Sequence, residues 1–95
     1  MAFTVQTPRL FTRANIEAIT PGQSGVYGLF REDRWVYVGK GDIRARLLAH
    51  FNGDNPLITN AGPTHWVDEV VAGDPSLREK QLILELQPHC NQKVG

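Results

Sequence analysis

Apolar residues along this chain fall in short clusters separated by polar breaks, and the spacing changes from cluster to cluster. Thr12 precedes Arg13-Ala14-Asn15-Ile16-Glu17-Ala18-Ile19 and reads as a helix cap, with Pro21-Gly22 stopping a short helix. Gly25–Phe30 and Trp35–Val38 are rich in aromatic and β-branched residues and flank the polar tetrad Arg31-Glu32-Asp33-Arg34, which predicts a β-hairpin. Gly39-Lys40-Gly41 is expected to end the second strand. Asp42 is expected to cap a helix running to about Phe51. Residues 52–63 carry many Gly, Pro, Asn and Asp and predict a loop. Thr64–Val71 predicts a third strand, and Gly73-Asp74-Pro75 a turn. A second long helix is expected from Pro75 or Ser76 to Leu86, where Pro88 prevents continuation. The expected fold class is α/β (α+β): a small three-stranded, mainly antiparallel sheet flanked by helices, in the order α-β-β-α-β-α.

The length, 95 residues, suits one domain. With 41% hydrophobic and 21% charged residues, the composition is that of a globular chain and not a disordered one. A single cysteine excludes an internal disulfide framework and a cysteine-rich zinc site. The start, Met1–Leu10, lacks the layout of a secretion signal, so a cytoplasmic protein without a membrane partner is expected. The formal net charge is zero, which argues against broad electrostatic binding of nucleic acid. The charge is uneven, however: residues 1–50 hold seven basic and four acidic groups, residues 51–95 three and six. Arg31, Arg34, Lys40, Arg44 and Arg46 lie close together, so a local basic face fits under a neutral total, although charge alone favours an ordinary solvated surface of mixed sign.

Candidate chemistry concentrates in the predicted helix after the hairpin. Ile43, Leu47 and Phe51 make an apolar stripe, and Arg46 and His50, four apart, share a face bordering it. Arg is a planar donor suited to phosphate, and His exchanges a proton near neutral pH. Taken alone, this face also suits the flank of an ordinary amphipathic helix. Tyr27 and Tyr37 sit at matching places on the two hairpin strands, a usual packing arrangement. Facing a cleft, cationic neighbours would lower a phenol's pKa and make it a general base. Tyr27 directly opposite Tyr37 needs an odd-numbered loop centred on Glu32, or a bulge. A two-residue loop at Glu32-Asp33 would put them on opposite faces. Glu79 fits a capping box with Ser76, the reading that spacing alone favours; the alternative is a Mg²⁺ ligand that leaves room for water and phosphate. Cys90 has no local thiol partner and His65 and His89 no support as ligands. Asp68 and Glu69 are most simply solvent-facing.

Together these pieces resemble the GIY-YIG nuclease family. Gly25-Val26-Tyr27 and Tyr37-Val38-Gly39 resemble its two signatures, each with valine in place of isoleucine. Lys40-Gly41-Asp42-Ile43-Arg44-Ala45-Arg46-Leu47 resembles the following loop and helix, with Arg46 on the essential arginine and His50 on a histidine of some branches. Arg78–Asn91 resembles the closing pattern, with Glu79 on the metal-binding glutamate and Asn91 on the closing asparagine. The resemblance spans about residues 24–91 of a single domain covering 1–95. No one tripeptide is specific, but the ordered set is.

The resemblance implies hydrolysis of phosphodiester bonds in nucleic acid, DNA in the first instance, with one Mg²⁺ or Mn²⁺ ion on Glu79. It implies Tyr27, then Tyr37, as general base, Arg46 as stabiliser of the phosphorus centre, and His50 and Lys40 as assistants. Lys40, Arg44 and Asn91 are expected at the nucleic-acid surface, Asn91 also positioning the backbone or a neighbouring group. The competing expectation is a catalytically silent nucleic-acid-binding module or a protein-interaction module on the same fold. Neutral charge further suggests that a protein partner, a homodimer or a special nucleic-acid structure supplies affinity. Asn52–Pro63 is read either as a substrate-contacting loop or as a plain connector.

Overall fold

The computed structural model describes residues 3–91. Polar side chains open three of its helices by taking up otherwise unpaired backbone N–H groups. Thr12 accepts from the Asn15 N–H to open α1 (Arg13–Glu17), and Asp42 from the Ala45 N–H to open α2 (Ile43–Phe51). Asn55 accepts from the Leu57 N–H to open α3 (Pro56–Ala61). This third helix was not expected, because the density of Gly, Pro and Asn in 52–63 reads as loop. Those same residues are its punctuation: an Asn cap, Pro at the first turn, and Gly62 at φ 64° closing it. The fourth helix, α4 (Ser76–Leu86), starts where expected. Asp74 Oδ1 accepts from both the Ser76 N–H and its hydroxyl, so no Ser76–Glu79 capping box forms.

The sheet has four strands and not three. β1 (Arg9–Leu10) is a two-residue strand that pairs with Trp66 and His65, too short to leave a periodic signal. β2 (Ser24–Arg31) and β3 (Arg34–Asp42) form the hairpin, and β4 (His65–Val70) pairs with β2. The sheet order is β1-β4-β2-β3, with every pair antiparallel. β3 continues through Gly39-Lys40-Gly41, which do not end it, because Gly39, Lys40 and Gly41 pair with Tyr27, Val26 and Gly25. The element order is therefore β-α-β-β-α-α-β-α, followed by a short 3₁₀ turn at His89–Asn91.

Helices cover both faces. On one face Tyr27, Leu29, Val36 and Trp66 pack with Ile16, Ile43, Leu47 and Ile58 of α1, α2 and α3. On the other, Val26 and Val38 pack with Leu82 of α4. Asp68 and Glu69 are not free in solvent. Asp68 takes Arg9 at 2.7 Å and the Trp66 indole N–H at 2.8 Å. Glu69 takes Arg78 at 2.8 Å, tying α4 to β4. Among the described residues, no helix is long and apolar enough to cross a membrane.

Candidate active site

The hairpin turn is the two-residue one, Glu32-Asp33, that on a regular ladder would separate the tyrosines. A register shift at Leu29/Phe30 corrects this. Past the shift Tyr37 lies opposite Leu29, and Tyr27 opposite Gly39, so both tyrosines project from the same face. Their ring centroids are 6.3 Å apart. Gly39 makes the room: a Cβ there would overlap the Tyr27 hydroxyl and come within 2.8 Å of the Tyr37 ring.

α2 then brings His50 beneath both rings, 5.6 Å from Tyr27 and 5.2 Å from Tyr37 between centroids. His50 is the buried polar side chain of this core. Its Nε2 lies 2.7 Å from the Tyr27 Oη, and its Nδ1 2.8 Å from Asp54 Oδ1. A carboxylate only accepts, so Nδ1 carries the imidazole proton, Nε2 accepts, and Tyr27 donates to it. Arg46 reaches Asp54 Oδ2 at 3.4 Å and lies beside the Tyr27 hydroxyl. Four residues from three parts of the chain thus form one network: Tyr27, His50, Asp54 and Arg46.

The electrostatics reverse one expectation. Cationic neighbours were expected to lower a tyrosine pKa, and Arg46 does pull the Tyr27 phenol down. Burial outweighs it, with Tyr37 adding to the rise, and Tyr27 sits far above the ordinary phenol value. Tyr37 is raised as well, by burial and then by the negative field of Glu79, again against Arg46. Both tyrosines are therefore protonated at neutral pH. Burial pushes His50 below its ordinary value despite the Asp54 bond, so it is neutral and able to take a proton.

Glu79, in the first turn of α4, is half-buried. Burial raises its pKa and Lys40 opposes the rise, while its own charge is felt at Tyr37. Lys40 does not join the tyrosine cluster. It stands on the α4 face, bonds the Ser76 hydroxyl at 2.5 Å, and acts on Glu79 and Asp74 and not on either phenol. Arg44 is two residues from Arg46 on α2 and so points about 200° away from it. Its Nε is buried with no hydrogen-bond partner among the described residues. Asn91 is remote from the network but tied to the same strand. Its Oδ1 accepts from the Val38 N–H at 2.7 Å and its Nδ2 donates to the Val38 carbonyl at 2.9 Å. That geometry is a backbone clamp, which suits positioning better than contact with nucleic acid. The Cys90 thiol donates to the Leu57 carbonyl, and burial raises its pKa.

Asp54 is the residue that sequence reasoning passed over. Its signal was present: Arg46, His50 and Asp54 recur every four residues. The helix stops at Asn52, yet the side chain stays in register. Gly53, at φ 87°, turns the chain so that the Gly53 N–H bonds the His50 carbonyl and the Asp54 N–H the Ala49 carbonyl. This paired closure of a helix end fixes Asp54 under His50.

Among solved structures, the chain matches the GIY-YIG N-terminal endonuclease domain of UvrC from Thermotoga maritima. Two point mutants of that domain, each bound to its catalytic divalent cation, superpose with a TM-score of 0.73, at 23% and 22% identity. The match covers 85% of this chain and 94% of theirs. This chain has the GIY-YIG fold. No protein-family model and no curated protein matches the sequence. On the GIY-YIG fold seen here, the two tyrosine-bearing strands, α2 and the start of α4 are the elements that carry the network and Glu79.

Proposed function

We propose that this chain is a metal-dependent endonuclease domain that hydrolyses phosphodiester bonds of nucleic acid, with DNA as its first expected substrate. The observation that carries the reading is the convergence of Tyr27, Tyr37, Arg46 and His50 on one face, with Glu79 in electrostatic reach of Tyr37. The GIY-YIG fold, shared with an endonuclease domain that binds a catalytic divalent cation, supports it.

Glu79 fits a divalent ion by its chemistry. It is a half-buried carboxylate, and among the described residues no hydrogen bond to it offsets the cost of burying its charge. No group of three or more metal-ligating side chains surrounds it among those residues, which suits Mg²⁺ or Mn²⁺ holding several waters and substrate phosphate. A bound ion supplies positive charge to the phosphate oxygens. In this reading Arg46 donates to the equatorial oxygens as charge builds on phosphorus. Tyr27, linked to His50, receives a proton from the attacking water, and Tyr37 orients water or phosphate. Lys40 holds Glu79 in its charged form and is placed to meet phosphate on the α4 side. Arg44, leaving α2 on the side away from Arg46, has no part at the phosphorus in this reading, and Asn91 holds β3 in place behind Tyr37. Mono-nucleotide-scale contacts of this kind leave affinity low for a chain of zero net charge, so a partner, a second copy or a branched substrate supplies the remainder.

The test is nicking of supercoiled plasmid and labelled branched DNA with Mg²⁺ or Mn²⁺, comparing the wild type with Glu79→Ala. Metal-dependent cleavage is expected, and its loss by at least about 10²-fold in the variant, whose melting temperature stays close to wild type. Equal cleavage by both proteins would refute the role of Glu79. Binding without cleavage would instead support a silent nucleic-acid-binding module.

A further inference from the structure

The network holds a carboxylate that the hydrolytic reading does not need in order to explain substrate binding. Asp54 touches His50 through one oxygen and Arg46 through the other. A free histidine populates both neutral tautomers, and only the one protonated at Nδ1 leaves Nε2 free to accept the Tyr27 proton. A buried phenol cannot lose its proton unless an acceptor is within hydrogen-bond distance. His50 Nε2, at 2.7 Å, is that acceptor.

We propose that Asp54 is a positioning residue that locks His50 in its Nδ1–H tautomer, so that the chain Tyr27–His50–Asp54 carries the proton of the attacking water away from phosphorus. The proposal rests on the hydrolytic reading and adds to it the route of the proton. The water oxygen forms the new P–O bond as its proton passes to the Tyr27 Oη. The proton already on Tyr27 moves to His50 Nε2. The bond from phosphorus to the leaving oxygen breaks, and that oxygen takes a proton from solvent. The imidazolium, held between the Tyr27 oxygen and the Asp54 carboxylate, returns its extra proton to solvent after product leaves. Asp54 then offsets the positive charge on His50 at the moment it forms. Its second oxygen holds Arg46 on the same side.

The groups facing His50 are few. Tyr27 faces it from β2, Tyr37 from β3, Arg46 from its own helix, and Asp54 from the turn that follows. Arg46 disfavours the protonated imidazole and Asp54 favours it. Removing Asp54 therefore lowers the pKa of His50.

Two readouts on the full chain test this. The first is ¹⁵N–¹H correlation of the histidine ring nitrogens near neutral pH, with His50 assigned by comparison with His50→Gln. The wild type is expected to show the Nδ1–H form. Asp54→Ala is expected to shift His50 mainly to Nε2–H, whereas Asp54→Asn, whose amide oxygen still accepts, keeps Nδ1–H. The second is the pH profile of plasmid nicking. Asp54→Ala is expected to slow cleavage by about 10²-fold, Asp54→Asn by less, and both to move the acidic limb to lower pH. An Nε2–H tautomer in the wild type, or an unchanged tautomer in Asp54→Ala, would overturn the positioning role whether or not the protein cleaves. The expected tautomers in a wild type that cleaves nothing would keep the positioning role. They would then sink the hydrolytic reading and the proton route built on it.

Discussion

Gly39 lies opposite Tyr27 on the neighbouring strand, and the missing side chain is the space into which the phenol lies. Any Cβ at this position displaces Tyr27 from the His50 nitrogen it donates to. Gly39→Ala is expected to destabilise the fold by about 1–3 kcal/mol, as overpacking does, and to lower cleavage well beyond what the loss of stability explains. Denaturant unfolding and nicking rates measured side by side check this, and wild-type cleavage by a folded variant would refute it. At this scale most of the site was legible. Tyr27, Tyr37, Arg46, His50 and Glu79 were each candidates by residue type, and the GIY-YIG resemblance joined them into one set. Their pKa directions were not, because burial is a property of the packed core and a sequence shows only which charges are near in number. Asp54 escaped for a related reason. It lies past the end of its helix, in a stretch whose composition reads as loop, and only the Gly53 closure returns it to the His50 side.

Between elements, α4 is attached to the sheet by Leu82 and by the Arg78–Glu69 pair. Arg78, helped by Thr4, holds the Glu69 carboxyl down to about 2, against an ordinary value of 4.5. A carboxyl depressed in the folded state stabilises it above the unfolded pKa, and that contribution fades as pH falls from about 4.5 toward 2. Thermal melts are expected to show Glu69→Gln losing less stability than the wild type across that interval. At neutral pH the variant is less stable by about 1.5–3 kcal/mol, the worth of charge-assisted hydrogen bonds to a carboxylate largely out of solvent. A parallel pH dependence in the two proteins would contradict it. The caps of α1 and α2 and the hairpin strands were readable because side-chain capping, and aromatic and β-branched runs on either side of a polar break, are local signals. The register shift at Leu29/Phe30 was not, since a bulge is chosen by which residues must share a face once helices cover it. β1 was invisible because two residues hold no period.

At the level of the whole molecule, the sheet lies between α1, α2 and α3 on one side and α4 on the other, and Glu79 is brought to the tyrosines across the outer strand. That strand, β3, has β2 on one side only. Along its nine residues, every second one turns its N–H and C=O away from β2 and outward, the kind of template on which a second chain adds itself. Asn91 presents one carbonyl and one N–H to Val38 as a neighbouring strand would, and so occupies the middle of that template. The two hydrogen bonds by which Asn91 holds Val38 thereby also close that stretch of edge to a second chain. Asn91→Ala is expected to raise the share of dimers and larger species with concentration, read by light scattering after size exclusion. A monodisperse variant at high concentration would show that the sheet needs no such guard.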